Sequence, residues 1–180
     1  MGNCVSGDDG ISNLSTDSTI HIRGNCFVPS GCDNVGNLIV DGDFTGSISN
    51  GPSTTFIISG NLNANNCYNN GSLQVKGIAY IYNTLTNKGD ISGDIRIVGG
   101  TSHLIDFTGS GGNGSITKIT TNDPITLMNM SVGDVITAID LQEASQLTLD
   151  VTCLAATITI YGTGALVDNT VVSSYRQIIV

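Results

Sequence analysis

The sequence predicts an all-β protein: a right-handed β-solenoid with about 18 residues per coil, followed by a small antiparallel β module. One observation is a five-residue phrase that recurs at nearly constant spacing over the first half of the chain. A second is composition, because Val, Ile and Thr are abundant whereas Glu143 is the only glutamate, which is typical of strands rather than helices. The third is a change of pattern after Ser115, where the phrase disappears.

The recurring phrase has a glycine at its centre and, in most copies, apolar residues at its two ends. Its copies are Ile22-Arg23-Gly24-Asn25-Cys26, Val40-Asp41-Gly42-Asp43-Phe44, Ile58-Ser59-Gly60-Asn61-Leu62, Val75-Lys76-Gly77-Ile78-Ala79 and Ile91-Ser92-Gly93-Asp94-Ile95. The glycines step by 18, 18, 17 and 16 residues. Such a period is typical of a solenoid, in which each coil buries its apolar side by stacking on its neighbours.

Alternation within the phrase points its first and last residues inward. Two inward columns follow: Val40, Ile58, Val75 and Ile91 form one, and Cys26, Phe44, Leu62, Ala79 and Ile95 form the other. The outward column Asn25, Asp43, Asn61, Ile78 and Asp94 predicts a polar ladder that helps to hold the register. Arg23 is expected to pair with Asp41 in the next coil.

The chain is predicted to have four segments. Residues 1–19 form an N-terminal cap or assembly arm, 20–108 form the solenoid, 109–115 form a flexible Gly/Ser linker, and 116–180 form the antiparallel module. The chain ends on an apolar strand, Ile178-Ile179-Val180, which we expect to be paired inside the fold or buried against another subunit.

Composition excludes several partners. The net charge of −9 comes from scattered aspartates and argues against nucleic acid, which requires clustered Lys and Arg. No apolar run approaches the roughly 20 residues that span a bilayer, and we interpret the match of Gly2 and Ser6 to an N-myristoylation pattern as coincidental. Among the five cysteines, Cys26 is expected in the core, whereas exposure of Cys32 and Cys67 stays open.

Sequence indications of chemistry are weak. Asp41 and Asp43, with Arg23 and Lys76 nearby, resemble the outward acids of polysaccharide-cleaving β-helices, but no further acids cluster with them. Neither histidine, His21 or His103, has a ligand at metal-binding spacing. We therefore predict no catalytic residue, no cofactor and no metal site.

Two resemblances indicate a role. The segment Gly36-Asn37-Leu38-Ile39-Val40-Asp41-Gly42-Asp43-Phe44-Thr45-Gly46-Ser47-Ile48 resembles a coil of the bactofilins, which implies a self-polymerising cytoskeletal filament. The second half, with Ile119-Thr120-Thr121 and Pro124-Ile125-Thr126-Leu127-Met128-Asn129, resembles the β-rich modules that end many bacteriophage fibre and spike proteins.

A β-helical shaft followed by a β-rich knob is the phage arrangement, and we rank it first. It implies a non-enzymatic fibre, spike or capsid-decoration subunit, assembled in the host cytoplasm and located in the virion. The expected partners are two further copies in a homotrimer, other virion proteins and, in one alternative, a host surface glycan. The bactofilin-like filament and a glycan-binding or glycan-cleaving β-helix remain the alternatives.

Overall fold

The computed structural model describes residues 4–5, 10–99, 103–111, 113–143, 145–154, 157–170 and 176–178. Within these ranges every regular element is a β-strand, and every strand pairing is parallel. The strands are β1 (Cys4–Val5), β2 (Ile11–Asn13), β3 (Thr19–Ile22), β4 (Cys26–Phe27), β5 (Cys32–Asn34), β6 (Asn37–Val40), β7 (Phe44–Thr45), β8 (Ile48–Asn50), β9 (Thr55–Ile58), β10 (Leu62–Asn69), β11 (Ser72–Asn87), β12 (Asp90–Ile97), β13 (His103–Asp106), β14 (Ser115–Thr121), β15 (Ile125–Met128), β16 (Val135–Leu141), β17 (Gln146–Leu149), β18 (Thr157–Gly162), β19 (Ala165–Asp168) and β20 (Arg176–Ile178). None of the described residues forms a helix that could cross a membrane.

The strands stack into three faces around one apolar core, and the all-β solenoid prediction is confirmed. Each face has a central inward column of residues paired from coil to coil. Face A carries Ile20, Leu38, Phe56, Leu73, Ile91, Ile116, Ile136 and Ile158; face B carries Cys26, Phe44, Leu62, Ala79, Ile95, Ile119, Ile139 and Ile160; face C carries Cys32, Ile48, Cys67, Leu85, Ile105, Leu127 and Leu149.

The core forms because strand alternation places a β-branched or aliphatic residue inward at every second position. Except for the half-buried Ile20, all the residues in these columns are buried, and each large side chain contributes about 1.5–3 kcal/mol by leaving water. Phe44 of face B meets Phe56 of face A edge-to-face, with ring centroids 5.1 Å apart. The face B column was predicted residue for residue.

The other predicted column is correct for three of its four residues. Val40, Ile58 and Val75 stack in register, but Ile91 pairs with Leu73, one inward position earlier. The reason is a shorter corner between faces A and B: four residues separate Ile91 from Ile95, whereas six separate Leu73 from Ala79.

The second half corrects the predicted antiparallel module. Strand β14 pairs in parallel with β12, placing Ile119 on Ile95, and the same arrangement continues through β16, β18 and β20. The sequence pattern changes because the corners change. The step along face A grows to 25 residues between Ile91 and Ile116 and is 20 to the next isoleucine, so the regular period is lost while the pairing is kept.

The predicted segment boundaries also change. Solenoid pairing begins before residue 20, because Cys4 pairs with Cys26 and Ile11 with Cys32. At the other end Ile178 pairs with Ile160, so this residue of the predicted terminal strand belongs to the stack. The remainder of that strand, residues 179 and 180, and the acylation pattern at residues 2 and 6 lie outside the described residues.

Candidate functional site

The repeat glycines form a spine at the corner between faces A and B. Gly42 donates its backbone N–H to the carbonyl of Gly24, Gly60 donates to Gly42, and Gly77 donates to Gly60, each at 3.0 Å. A Cβ added at Gly60 would lie 2.3 Å from the Asp43 side-chain oxygen. The stacked coils approach so closely that only glycine fits.

The acids and amides beside these glycines bond to the backbone of the next coil rather than to one another. Asn25 accepts from the N–H of Asp43, Asp43 accepts from Asn61, and Asn61 accepts from Ile78, at 2.7–2.9 Å. The predicted polar column is thus correct in position, with a different bonding pattern. It ends at Ile78, which has no amide to continue it.

The fifth repeat glycine does not join the spine. Because its corner is shorter, Gly93 lies against Val75, whose carbonyl oxygen would be 2.6 Å from an added Cβ. Its φ of 141° falls in a range that favours glycine. Gly93 is therefore required for a different reason from Gly24, Gly42, Gly60 and Gly77.

A buried asparagine ladder lies inside the solenoid where face C turns toward face A. Each Nδ2 donates to the Oδ1 of the asparagine in the next coil, at 2.8–2.9 Å. The side chains also donate to backbone carbonyls of the adjoining turns. None is more than 3% exposed, so the amides satisfy one another and the turns in place of water. The ladder consists of Asn13, Asn34, Asn50, Asn69 and Asn87.

The asparagine ladder gives way to another device after Asn87. Phe107 is fully buried in the following turn. Beside it, the Asp106 carboxylate accepts from the backbone and hydroxyl of Thr108 and from the Asn129 side chain. Partial burial works to raise the pKa of Asp106, but these hydrogen bonds and the Lys88 charge together hold it below its usual value.

A buried carboxylate fixes the segment predicted to be a flexible linker. Asp134 is fully buried and accepts from the Ser110 hydroxyl at 2.7 Å, from the Gly114 N–H at 2.8 Å and from the Ser131 N–H at 2.7 Å. Ser110 is itself buried. In the described part of 109–115, the glycine-rich run is a pinned corner between two coils, and the linker prediction is wrong there.

The residues considered for chemistry do not converge on one site. Asp41 contacts His21, with 2.8 Å between Oδ1 and Nε2, rather than the predicted Arg23. Asp43 is engaged in the corner described above. Across the described ranges, no group of three or more His, Cys, Asp and Glu side chains is placed to share a metal ion.

Both cysteines whose exposure was open point into the core. Cys32 and Cys67 are 2% exposed and lie in the face C column, separated by Ile48. Burial raises the pKa of each thiol to about 12, with the nearby Asp33 charge adding to the effect at Cys32. His103 is also buried: Nδ1 lies 3.3 Å from the Asn83 carbonyl, whereas Nε2 has no hydrogen-bond partner.

The outer surface of face B carries two grooves. The first has a volume of about 430 Å³ and is lined by Phe27, Pro29, Thr45, Gly46, Ser47, Asn63, Asn65 and Tyr82. The second, of about 590 Å³, includes Tyr80, Arg96, Lys118, Thr120, Asp140 and Gln142 in its lining. In this second groove Asp94 accepts from Thr120 at 3.0 Å and lies 3.7 Å from Arg96 Nε.

These features define the protein as a parallel β-solenoid with polar ladders inside and grooves outside. Comparison with protein-family models, curated proteins and solved structures finds no match for this chain.

Sequence reasoning missed the asparagine ladder and Asp134. A signal for the ladder existed, because Asn34, Asn69 and Asn87 each begin an Asn-x-Gly turn at a strand end. Asp134 had no such signal, since its partners come from a turn about 20 residues earlier.

Proposed function

We propose that this chain is a non-enzymatic structural protein of a bacteriophage virion: a fibre, spike or capsid-decoration subunit that acts by homotrimeric assembly and surface attachment. The observation that carries the proposal is the rod itself. One core runs through the stacked coils, and polar ladders occupy successive corners. Such a build resists bending and suits a shaft or spacer.

An apolar ridge supports the assembly part of the proposal. Val132, Val151 and Leu154 are exposed, and they lie in consecutive turns between faces C and A, which are joined by the backbone bond from Leu154 to Met130. Adjacent exposed apolar residues are typical of protein contacts. We assign this ridge to the contact between copies in the trimer.

The test is the mass of the purified full chain in solution by light scattering. We expect a discrete trimer. Leu154→Asp should lower the mass to that of a monomer while the circular dichroism and the melting curve stay unchanged, because the side chain is exposed. Leu14→Asp is the matched control, since it places the same charge at an exposed leucine near the other end of the rod. Equal loss of assembly in both variants would contradict the ridge assignment.

A second variant tests the predicted terminal strand. Removing residues 178–180 deletes Ile178 from its pairing with Ile160. A truncated chain that keeps the trimer mass would show that this strand does not cross the subunit contact.

A bactofilin-like filament is the second candidate. The parallel register continues from β1 to β20, and end-to-end stacking of solenoids uses the same register. Long filaments under negative stain would favour this candidate, whereas a stable monomer would contradict both and leave glycan binding as the remaining role.

A further inference from the structure

We infer that the two grooves on face B form one extended binding site for a neutral glycan chain. The inference deepens the attachment role proposed above and rests on it, but the two have separate tests. It is carried by the exposed rings of the first groove, the amides beside them and the continuity of the two grooves.

The first groove combines exposed rings with uncharged polar groups. Phe27 is 47% exposed and Tyr82 is 41% exposed, although aromatic side chains of this size gain most by burial. Asn63 and Asn65 lie in the same lining, and each amide provides both donors and an acceptor. No Asp, Glu, Lys, Arg or His lines this groove.

This combination selects the ligand class. A sugar ring presents an apolar face that packs on an aromatic ring and hydroxyls that bond to amides, which is the mixture of contacts this lining provides. A nucleic acid could stack on the same rings, but its phosphates would be opposed by a chain of net charge −9. A neutral polyhydroxylated ligand satisfies both the rings and the amides without a charge partner.

The grooves adjoin one another along the rod. Tyr82 lines the first groove and Gly99 lines the second, and a Cβ added at Gly99 would lie 3.5 Å from the Tyr82 ring. The outward column of face B runs beneath both grooves: Phe27, Thr45, Asn63, Tyr80, Arg96, Thr120 and Asp140. Six coil steps of about 4.8 Å give a length of roughly 29 Å, which suits a chain of several sugar units.

The second groove has both signs of charge. Arg96 and Lys118 are accompanied by Asp94 and Asp140, and Gln142 donates to Asp140 at 2.7 Å. Opposite charges placed side by side offer donors and acceptors without a strong net field. This lining therefore also fits an uncharged polar chain better than an anionic or a cationic polymer.

The experiment measures binding of the full chain to neutral and anionic oligosaccharides. The probes are cello-, chito- and malto-oligosaccharides of two to eight units, with heparin and hyaluronan fragments as the anionic arm. Calorimetry gives affinity, and tyrosine fluorescence gives an independent signal because the chain has five Tyr and no Trp. We expect at least one neutral series to bind, with affinity rising as the chain lengthens.

Variants locate the site. Phe27→Ala and Tyr82→Ala should each weaken binding at least tenfold. Tyr161→Ala is the matched control, because Tyr161 is 42% exposed on the same face and lines neither groove. Unchanged circular dichroism and assembly mass establish that a variant is folded, and a variant that fails this check is replaced by Tyr82→Leu.

Three results would overturn the inference. They are failure of every neutral probe to bind at millimolar concentration, binding of anionic probes alone, and equal loss of binding in Tyr82→Ala and Tyr161→Ala. Each can occur while the trimer mass is unchanged, so failure here is distinguishable from failure of the assembly proposal.

Discussion

Removing one rung of the asparagine ladder should destabilise the solenoid far more than removing an exposed asparagine. Asn50 is fully buried and makes four bonds with other residues: it accepts from Asn34 and Thr54 and donates to Asn69 and to the Ser72 carbonyl. In Asn50→Ala the two donors keep backbone carbonyl partners, at Gly36 and Gly51. The Asn69 Oδ1, in contrast, loses its donor inside the core.

The magnitude follows from these partners. An orphaned buried carbonyl costs about 1–3 kcal/mol, and the weakened bonds add about 1 kcal/mol, so Asn50→Ala should lower the free energy of unfolding by about 2–4 kcal/mol. That is a large share of the roughly 5–15 kcal/mol that stabilises a typical domain. Asn65→Ala, at an exposed strand position, is the control and should stay within about 0.5 kcal/mol.

Urea unfolding followed by circular dichroism measures both variants, and amide hydrogen exchange locates the effect. Protection should fall first in the coils that contain Asn34 and Asn69, because each coil contacts only its neighbours. Asn50→Asp sharpens the test: its carboxylate cannot donate to Asn69, so this variant should regain stability at acid pH, where the protonated form donates. Equal stability of Asn50→Ala and Asn65→Ala would refute the reasoning.

Three further predictions concern the corners and the thiols. Gly60→Ala should cost about 1–3 kcal/mol, because the added Cβ would collide with Asp43; thermal melting beside Ser59→Ala measures it, and equal melting temperatures would contradict it. Asp134→Ala should cost at least about 3 kcal/mol by orphaning two N–H groups and a hydroxyl, with Asp134→Asn intermediate; an unchanged urea midpoint would count against a pinned corner. With thiol pKa values of about 12, Cys32 and Cys67 should resist alkylation at pH 8 until the chain unfolds. Because unfolded thiols ionise first, stability should decline as pH rises from about 9 toward 12, and rapid labelling of the native protein would argue against burial.

The first half of the fold could be predicted from sequence because its corners use one solution repeatedly. Where Asn or Asp bonds to the next coil, glycine must follow 18 or 17 residues later, so Gly42, Gly60 and Gly77 record the coil length in the sequence. The inward columns then follow from strand alternation. The shortened coil at Gly93 broke this record, and the stacking of Ile91 was predicted one inward position away from where it lies.

The second half could not be predicted in the same way, because there the corner between faces A and B contains no repeat glycine. Ile116 and Ile119 are only three residues apart, and so are Ile136 and Ile139, so the chain turns directly from one face to the next. Short strands with turns between them fit an antiparallel sheet equally well. Only the register, Ile119 on Ile95, distinguishes the two arrangements.

The grooves depend on tertiary placement even more strongly. Phe27 and Tyr82 are 55 residues apart in sequence, and nothing local relates them. They share a groove because Thr45 and Asn63 stack on Phe27 in the outward column, while the strand that carries Tyr82 continues from the next rung, Tyr80.

The two halves of the rod solve one physical problem in different ways. A stacked coil must keep its three faces in register, but each turn between faces leaves backbone groups that need partners away from the strand ladders. Before Asn87 the buried amides provide those partners, whereas later Asp134 and the Asp106–Thr108 turn do so. Side chains, not strand pairing, therefore set how long each turn can be. That freedom allows corners to lengthen and expose the ridge at Val132 while the core columns continue unchanged, so the surface can vary for binding without altering the rod.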